Sequence, residues 1–364
     1  MMINKRVVII GRDADSHMEY DGGEYLAARV ADMVRECFQG NTDTIQIYRP
    51  FFLQRFVNIL CRQSYGMNKQ IRKKTEVLLE KNTELIFFNG SVYGTLVKKM
   101  HRRKIQTAVF YYNVESQFYY EKYRLHKNLP NFVMYRYILW LEKLSTKYAD
   151  IVITLNQRDS NGLNRIYGRK ADFCSPASFE PVSRSYIEKG ARRRGKKYLL
   201  FVGGINFANI EGLQRFIKNV FPYIDFDLYV IGNCCRELEK AVNTADYPGL
   251  RLLGFRDDIE KIYMQASAVI VPIYYGSGMK TKTVEALKYG KYIFGTPEAF
   301  AGIPIDCSKA GALCRNDEEF IKKIRLWGKK EHGLFCAYSY EFFMKHYTKE
   351  AVTANFCENL KALL

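Results

Sequence analysis

The sequence predicts an α/β protein built from two Rossmann-like domains in tandem. Short β-branched and aromatic runs alternate with helical stretches through most of the 364 residues, which is typical of parallel strands covered on both faces. A chain of this length exceeds one comfortable hydrophobic core, so two domains are expected. The alternation is interrupted by the Pro- and Ser-rich stretch 174–181 and the basic run 191–197, a composition typical of an interdomain linker.

Each element of this pattern follows from a hydrophobic run and the turn residues beside it. The first domain, residues 1–180, is expected to begin with a buried strand at 7–10, a polar loop at 11–23 and a helix at 24–38. After a linker at 181–197 come the second domain, residues 198–340, and a helical segment at 341–364. A further helix is expected at 135–148, and further strands at 44–48, 85–88, 107–112, 151–155, 198–202, 228–231, 250–253, 268–271 and 292–294.

Composition excludes several classes of protein. No continuous apolar run reaches the roughly 18 residues that a transmembrane helix requires, and the apolar run after Lys5 and Arg6 is too short for a signal peptide. The nine cysteines include no CxxC pair, which indicates reduced thiols in the cytoplasm rather than disulfides or a structural zinc. The formal net charge of +18 indicates an anionic partner: nucleic acid, a membrane surface or a phosphorylated substrate.

The most informative motif follows the predicted strand at 268–271. The glycine-rich loop Gly276-Ser-Gly278 leads into Lys280 and Lys282, and then into an amphipathic segment that contains Glu285. Backbone N–H groups at such a turn, the positive end of the helix dipole and the lysine charges all favour a bound anion. The spacing fits neither GxGxxG nor GxxxxGK[ST], so a dinucleotide cofactor and a P-loop ATPase are not expected.

This loop resembles the donor-nucleotide loop of GT-B glycosyltransferases, in particular the large family 4, the group 1 glycosyl transferases. Weaker support comes from Gly203-Gly204, between a strand and a helix, and from the segments LRLLGFRDD at 250–258 and DIVITLNQRD at 150–159. The resemblance implies two Rossmann-like domains that face each other across a cleft, with a C-terminal helix that crosses back. It also implies a nucleotide-sugar donor and retaining transfer without a metal ion or other cofactor.

The resemblance gives roles to residues of the second domain. Family members usually have a glutamate eight positions before the ribose-binding one, where this chain has Ser277. Serine forms hydrogen bonds but carries no charge, so the identity of the donor sugar stays open. The implied ligands are Gly203, Gly204, Lys280 and Lys282 for the diphosphate, Phe255 and Arg256 for the base, Glu285 for the ribose, and Ser277, Gly278 and Met279 for the sugar.

The first domain contains the candidate catalytic residues. The segment VFYYNVESQFYY, 109–120, resembles a family strand that ends in His-Asn-x-Glu close to the reacting centre. Asn113 and Glu115 fit this pattern, whereas Tyr112 stands in the histidine position. Since a tyrosine with its usual pKa of about 10 is a poor base, Glu115 is the candidate for acid–base chemistry or acceptor positioning. The alternative interpretation is an aromatic-rich edge of the core.

Three residues near the N-terminus are expected on the acceptor side. Gly22 and Gly23 precede a helix, in the position of the family's N-terminal glycine loop, and His17 lies in the acidic loop before them. That loop contains Asp13-Ala-Asp15, which formally fits the metal-binding DxD pattern, as does Asp225-Phe-Asp227. Carboxylates at this spacing are frequent by chance, so no metal site is expected.

A basic, amphipathic region lies at 49–74, where phenylalanines such as Phe51, Phe52 and Phe56 alternate with arginines and lysines. One interpretation is a helix that docks on an anionic membrane surface; the other is a helix packed in the core with a solvated basic face. A second basic patch lies at 98–104. In similar enzymes the first domain takes a lipid-diphosphate-linked acceptor at the cytoplasmic leaflet.

The sequence therefore predicts a glycosyltransferase of cell-surface polysaccharide biosynthesis, cytoplasmic and peripheral at the inner face of the membrane. It would move a sugar from a nucleotide-sugar donor to a glycan or lipid-linked glycan. Two alternatives use the same fold: a sugar-nucleotide epimerase, and a catalytically silent nucleotide-sugar-binding subunit, because Tyr112 and Ser277 depart from the family pattern. A nucleic-acid partner is not expected, because no recognition motif accompanies the basic charge.

Overall fold

The structure, a computed structural model, describes residues 6–11, 22–48, 50–79, 83–191, 196–276 and 278–364. The chain divides into two compact units. Unit 1 comprises the described residues up to Ser178, the pair Gly278 and Met279, and Val352–Leu364. Unit 2 comprises the other described residues from Phe179 to Ala351.

Unit 1 is built on a parallel sheet whose described strands follow the order β2-β1-β3-β4-β5-β6. Its central strands are buried along their length, as expected for a parallel sheet with helices on both faces. The strands are β1 Val7–Gly11, β2 Thr42–Gln46, β3 Leu85–Asn89, β4 Gln106–Tyr111, β5 Ile151–Thr154 and β6 Phe173–Cys174. The helices are α1 Gly22–Cys37, α2 Phe52–Leu60, α3 Lys69–Leu79, α4 Gly94–Arg102, α5 Glu115–His126, α6 Leu129–Tyr148 and α7 Gln157–Tyr167.

Unit 2 contains a second parallel sheet, with its described strands in the order β12-β11-β10-β7-β8-β9. The strands are β7 Tyr198–Val202, β8 Asp227–Ile231, β9 Leu250–Leu252, β10 Ala268–Val271, β11 Ile293–Gly295 and β12 Gly311–Leu313. The helices are α8 Arg184–Gly190, α9 Phe207–Asn219, α10 Cys234–Leu238, α11 Ile259–Gln265, α12 Thr281–Lys288, α13 Cys307–Ala310, α14 Asp317–Gly328 and α15 Ala337–His346. Every strand predicted from the sequence overlaps an observed one.

The last helix, α16 Lys349–Leu363, returns to unit 1 for most of its length. Its Val352, Phe356 and Leu360 are buried in the core cluster that contains residues of β1, β3 and β4. The ring of Phe356 packs edge-on against Phe87, with 6.1 Å between the ring centroids. Burial of an apolar side chain of this size contributes about 1.5–3 kcal/mol, so the expected return of the C-terminal helix is stabilised by its apolar face.

Two features differ from the expectations. Helix α8 forms inside the stretch predicted as a linker, where Tyr340 of α15 donates a hydrogen bond to the Val182 carbonyl at 2.9 Å. Helix α2 is also not packed in the core over most of its apolar surface: Ile59 contacts a buried cluster, but Phe52 is 80% exposed and Leu60 is 66% exposed. Among the described residues, no helix is both long enough and apolar enough to cross a bilayer.

Candidate active site

The order of strands in unit 2 reverses between β7 and β10, which lie side by side. In open parallel sheets, ligands bind in the crevice at the carboxyl ends of the strands where this reversal occurs. Strand β7 leads into the turn Gly203-Gly204, and β10 leads into the loop that contains Gly276. The two glycine-containing segments predicted from the sequence therefore leave neighbouring strands at the same edge of the sheet.

Close packing explains the glycine at 203. A Cβ atom there would stand 2.7 Å from the Phe201 ring and 3.1 Å from the Asn209 side-chain nitrogen. Gly232, at the end of β8, has a φ of +107°, and a Cβ on it would stand 2.3 Å from the Gly203 carbonyl oxygen. Gly204 is different, because no heavy atom of the described residues lies within 4 Å of its Cβ position. The backbone at Gly204 is thus open to a ligand.

Helix α9 begins directly after this turn. Asn206 caps it, since the Asn206 Oδ1 accepts a hydrogen bond from the Asn209 N–H at 2.8 Å. The side-chain nitrogen of Asn209 donates to the Gly204 carbonyl at 2.8 Å. The amino end of a helix carries a partial positive charge and unpaired N–H groups, so the start of α9 favours a phosphate group.

Lys282 of α12 reaches the same turn. Its Nζ donates to the side-chain oxygen of Asn209 and lies 4.9 Å from the ring centroid of Phe201, a cation–π distance. The pKa of Lys282 is lowered to about 7, chiefly by burial and also by the charge of Lys280, while Cys234 and Glu285 act in the opposite direction. An approaching diphosphate would favour the charged form of this lysine.

Lys280 has different surroundings from Lys282. It is buried, and its Nζ lies 2.8 Å from the Glu298 Oε1, with the two side chains only 9% and 15% exposed. The charge of Lys280 is therefore paired within unit 2. Glu298 could not be identified from the sequence, because it lies 18 positions after Lys280 and no motif connects the two residues.

Glu285, the predicted ribose ligand, lies on α12 and accepts a hydrogen bond from the Tyr263 hydroxyl at 3.5 Å. Tyr263 is buried and stacks on Tyr289, with 4.6 Å between the ring centroids. Burial raises the pKa of Tyr263 well above its usual value, so its hydroxyl stays protonated and donates. The hydrogen bond from Tyr263 therefore fixes the position of one carboxylate oxygen of Glu285.

The predicted base-binding pair follows β9. Phe255 is 76% exposed, which leaves its ring accessible to a planar group. Arg256 bonds Asp258 through two nitrogens, at 2.9 and 3.1 Å. The Gly254 carbonyl accepts a hydrogen bond from Gly232 N at 2.8 Å. Since Gly232 packs against Gly203, this segment borders the Gly203-Gly204 turn.

In unit 1, the candidate catalytic segment follows β4. The Tyr112 hydroxyl donates to the side-chain oxygen of Asn89, and its ring packs on Phe110 at a centroid distance of 5.0 Å. The Tyr112 side chain therefore anchors the end of the strand. The Asn113 Oδ1 is buried and has no hydrogen-bond partner among the described residues. Buried polar atoms are rarely left unpaired, so a ligand group that donates a hydrogen bond is expected there.

Two residues of the predicted sugar site, Gly278 and Met279, belong to unit 1. Gly278 has a φ of +68°, and its Cβ position is 3.4 Å from the Tyr112 carbonyl oxygen and 3.8 Å from the Asn113 Cβ. Met279 packs against the core cluster that also touches Tyr112. Within unit 1, the described part of the donor loop and the candidate catalytic segment are therefore neighbours.

Glu142 of α6 was missed by the sequence analysis. Its carboxylate is fully buried and accepts hydrogen bonds from the N–H groups of Glu115 and Ser116 at 3.0 and 2.9 Å. It also accepts from the hydroxyls of Ser91 and Tyr167, at 2.8 and 2.9 Å. Because Val114 has no capping side chain, Glu142 takes over the N-cap function for α5 and fixes the backbone at Glu115.

For the remaining predicted site residues, the structure gives no contacts that bear on their roles. His17 and Ser277 lie outside the described residues. Gly22 and Gly23 form the start of α1. The acceptor-side assignments therefore remain predictions, as does the role of Ser277.

Comparison with solved structures defines the fold. The chain is similar to the sucrose-phosphate synthase tll1590 of Thermosynechococcus elongatus, with a TM-score of 0.73 and 13% identity over 99% of each chain. It is also similar to Alr3699/HepE of Anabaena in complex with UDP, with a TM-score of 0.66 and 14% identity over 98% of this chain and all of the other. For WaaG, a glycosyltransferase involved in lipopolysaccharide biosynthesis, the TM-score is 0.64 and the identity 15%, over 96% and 98% of the two chains. The fold is that of a GT-B glycosyltransferase.

Sequence comparison agrees with this class. Residues 196–327 match the family described as glycosyl transferases group 1. A protein described as an uncharacterized 44.6 kDa protein in the cps region of Klebsiella pneumoniae is 25% identical over 178 residues, or 44% of this chain. The match spans less than half of that relative, 45% of its length. Residues 196–327 of this chain therefore carry the domain of the group 1 glycosyl transferases, and the chain as a whole has the GT-B fold.

Proposed function

We propose that the protein transfers a sugar from a nucleoside-diphosphate sugar to a glycan or lipid-linked glycan, in the assembly of a cell-surface polysaccharide. One observation carries the proposal: Gly204, the start of α9 and the Lys282 ammonium converge where the strand order of unit 2 reverses. That arrangement suits a diphosphate. The UDP complex of HepE supports a nucleotide donor, and the involvement of WaaG in lipopolysaccharide biosynthesis supports a glycan acceptor.

The donor is proposed to bind along the carboxyl edge of the unit 2 sheet. The Gly204 backbone and the first N–H groups of α9 take the diphosphate, and Lys282 adds a positive charge. Glu285 binds the ribose hydroxyls, and the exposed ring of Phe255 stacks on the base. Departure of the nucleoside diphosphate develops negative charge on its phosphate oxygens, which these groups stabilise without a metal ion.

Asn113 and Glu115 of unit 1 are proposed as catalytic residues, as the family resemblance implies. Asn113 brings an unpaired buried oxygen, which suits a sugar hydroxyl as its hydrogen-bond donor. Glu115 is held through its backbone by Glu142 and acts as the acid–base group or positions the acceptor. The family resemblance supports retention of anomeric configuration.

The acceptor is proposed to be lipid-linked and reached from an anionic membrane surface. Helix α2 supports this, because Phe52 and Phe56 are 80% and 51% exposed and exposed basic residues follow at Arg62, Lys69 and Lys73. Exposed apolar side chains beside basic residues are the combination that binds anionic bilayers. Apolar exposure of this extent is uncommon without a partner.

A thermal-shift panel tests the donor assignment. UDP, GDP, ADP and their sugar conjugates are added to the wild type and to the Lys282→Ala and Glu285→Ala variants. A ligand at ~100 times its Kd stabilises the folded state by about 2.7 kcal/mol, and we expect each variant to lose about half of that stabilisation or more, as tenfold weaker binding would produce. Unchanged shifts in both variants would overturn the site.

Product analysis then separates the catalytic alternatives. Incubation with the selected sugar nucleotide alone detects an epimerase, because only that enzyme would change the sugar without an acceptor. Saturable nucleotide binding without turnover over a panel of lipid-linked acceptors would favour a silent subunit. Transfer to an acceptor is the result that we expect.

Flotation with vesicles tests the membrane assignment. The protein is mixed with phosphatidylcholine vesicles that either contain or lack phosphatidylglycerol. We expect flotation with the anionic vesicles alone, and its loss in a Phe52→Ser/Phe56→Ser double variant. A Leu125→Ser variant, altered at another exposed apolar residue of unit 1, serves as the matched control. Equal flotation with both vesicle types would contradict charge-dependent docking.

A further inference from the structure

We propose that Asn209 is a positioning residue for the donor diphosphate: its neutral amide ties Lys282 to the Gly203-Gly204 turn and leaves the lysine's positive charge for the ligand. This inference rests on the proposed donor site and adds to it a residue that the sequence motifs did not indicate. Among the residues around the turn, the positioning role is proposed for Asn209 only.

The amide of Asn209 is buried, with 3% exposure, and both of its ends are used. The nitrogen donates to the Gly204 carbonyl at 2.8 Å, and the oxygen accepts from the Lys282 Nζ. The backbone N–H of Asn209 is bound by the Asn206 side chain at 2.8 Å. One residue thus links the β7 turn, the start of α9 and the lysine that follows β10.

The Asn209 amide carries no charge, and this neutrality is what matters for binding a diphosphate. Lys280, only two positions away, has a carboxylate partner in Glu298 at 2.8 Å, so much of its charge is balanced. Lys282 instead contacts an amide and the Phe201 ring. A carboxylate at position 209 would hold the lysine equally well, but it would oppose the negative charge of a diphosphate.

The groups around Lys282 determine how binding depends on pH. Cys234 on α10 and Glu285 on α12 favour its charged form, whereas burial and Lys280 oppose it, and the pKa of Lys282 is about 7. A bound diphosphate raises this pKa, so binding takes up a proton above pH 7. Affinity must then fall as the pH rises above about 7, by up to tenfold per pH unit.

The test is the pH dependence of nucleotide affinity in Asn209→Asp. UDP, GDP and ADP are titrated calorimetrically between pH 7.5 and 8.5, above the ~6 pKa of a phosphate group. In the wild type, we expect affinity for the preferred nucleotide to fall several-fold across this interval. The new carboxylate raises the pKa of Lys282, so the variant binds more weakly at pH 7.5 but its affinity falls less steeply with pH than that of the wild type.

The matched control is Asn206→Asp, which adds the same charge at the same turn. Asp caps a helix as well as Asn, and Asn206 bonds the backbone of Asn209 rather than Lys282. This variant should keep the wild-type slope. A residue with only a structural role would change affinity by the same factor at each pH, so it is the slope that separates the two roles.

Each outcome decides the inference. A shallower profile in Asn209→Asp than in Asn206→Asp supports it, and equal slopes in the two variants overturn it. If Asn209→Asp does not fold, the wild type alone still decides, because affinity that is constant from pH 7.5 to 8.5 overturns the inference. If the wild type binds none of the three nucleotides at any pH, the proposed function fails rather than the role of Asn209.

Discussion

Lys282 and Lys291 lie nine positions apart, and burial lowers the pKa of each to about 7, yet their surroundings differ. Lys291 is fully buried at the start of β11 and donates to the carbonyls of Met264, Ala266 and Leu334 at 2.8, 3.2 and 2.6 Å. Lys282 contacts one amide and an aromatic ring at the carboxyl edge of the sheet. A perturbed pKa therefore does not identify a functional lysine: Lys291 is an internal hydrogen-bond donor, whereas Lys282 is the lysine proposed to bind the diphosphate.

The largest effect is expected for Lys282→Met. Removal of one group that stabilises developing charge lowers turnover by about 10²–10³-fold, and we expect kcat/KM to fall by that factor. The free energy of unfolding should fall by less than in Lys291→Met, because only one acceptor, the Asn209 side-chain oxygen, loses its donor and the desolvation cost of a buried charge is removed. Steady-state kinetics and urea titration measure the two quantities. Lys288→Met, on the same helix, is the control and should retain activity.

Lys291→Met should show the reverse pattern. Three carbonyls lose their donor, and each buried acceptor left unpaired costs about 1–3 kcal/mol, so we expect a loss of about 3 kcal/mol in the free energy of unfolding. The kcat/KM of the folded fraction should be unchanged. Lys322→Met, at an exposed position on α14, should leave both quantities unchanged. A catalytic defect in Lys291→Met without destabilisation would reverse the comparison.

The pH dependence of stability tests the same lysine. The pKa of Lys291 is about 7 when folded and about 10.4 when unfolded, so between these values the unfolded chain binds more protons and stability rises with pH. The stability of the wild type should therefore increase relative to Lys291→Met by up to about 1.4 kcal/mol per pH unit. Urea titrations at pH 7.5 and 8.5 measure this difference. A difference that shrinks with pH would contradict a depressed pKa.

A smaller effect is expected for Glu285→Gln. The amide keeps the shape of the side chain but loses the charge, and a hydrogen bond to a charged group contributes about 1.5–3 kcal/mol. We expect KM for the nucleotide sugar to rise about tenfold with little change in kcat. Glu260→Gln, on α11 beside Tyr289, is the control. A defect confined to kcat would argue for a catalytic role rather than ribose binding.

The sheets could be predicted from the sequence, because long β-branched runs such as Val7–Gly11 have few alternatives to burial. The edge strands β6 and β12 were missed, since their two and three residues, Phe-Cys and Gly-Ala-Leu, contain no β-branched residue that marks a strand. The exposure of the apolar side chains of α2 could not be predicted either, because an amphipathic pattern does not specify what covers its apolar face.

The donor loop could be predicted from its glycines and lysines, but the partners of those lysines could not. Asn209 meets Lys282 across 73 positions, and Glu142 meets Glu115 across 27. Neither contact leaves a local signal in one sequence, because each forms only when the fold brings two helices together, α9 and α12 in one case and α5 and α6 in the other.

The most direct test is the UDP dissociation constant of the wild type, Lys282→Met and Lys291→Met, measured by calorimetry at pH 7 and at a temperature where all three are folded. We predict at least about tenfold weaker binding in Lys282→Met, the factor that corresponds to 1.4 kcal/mol, and wild-type affinity in Lys291→Met. Equal affinities in all three proteins, or weakening confined to Lys291→Met, would contradict the assignment of the donor site to the Lys282 end of the sheet.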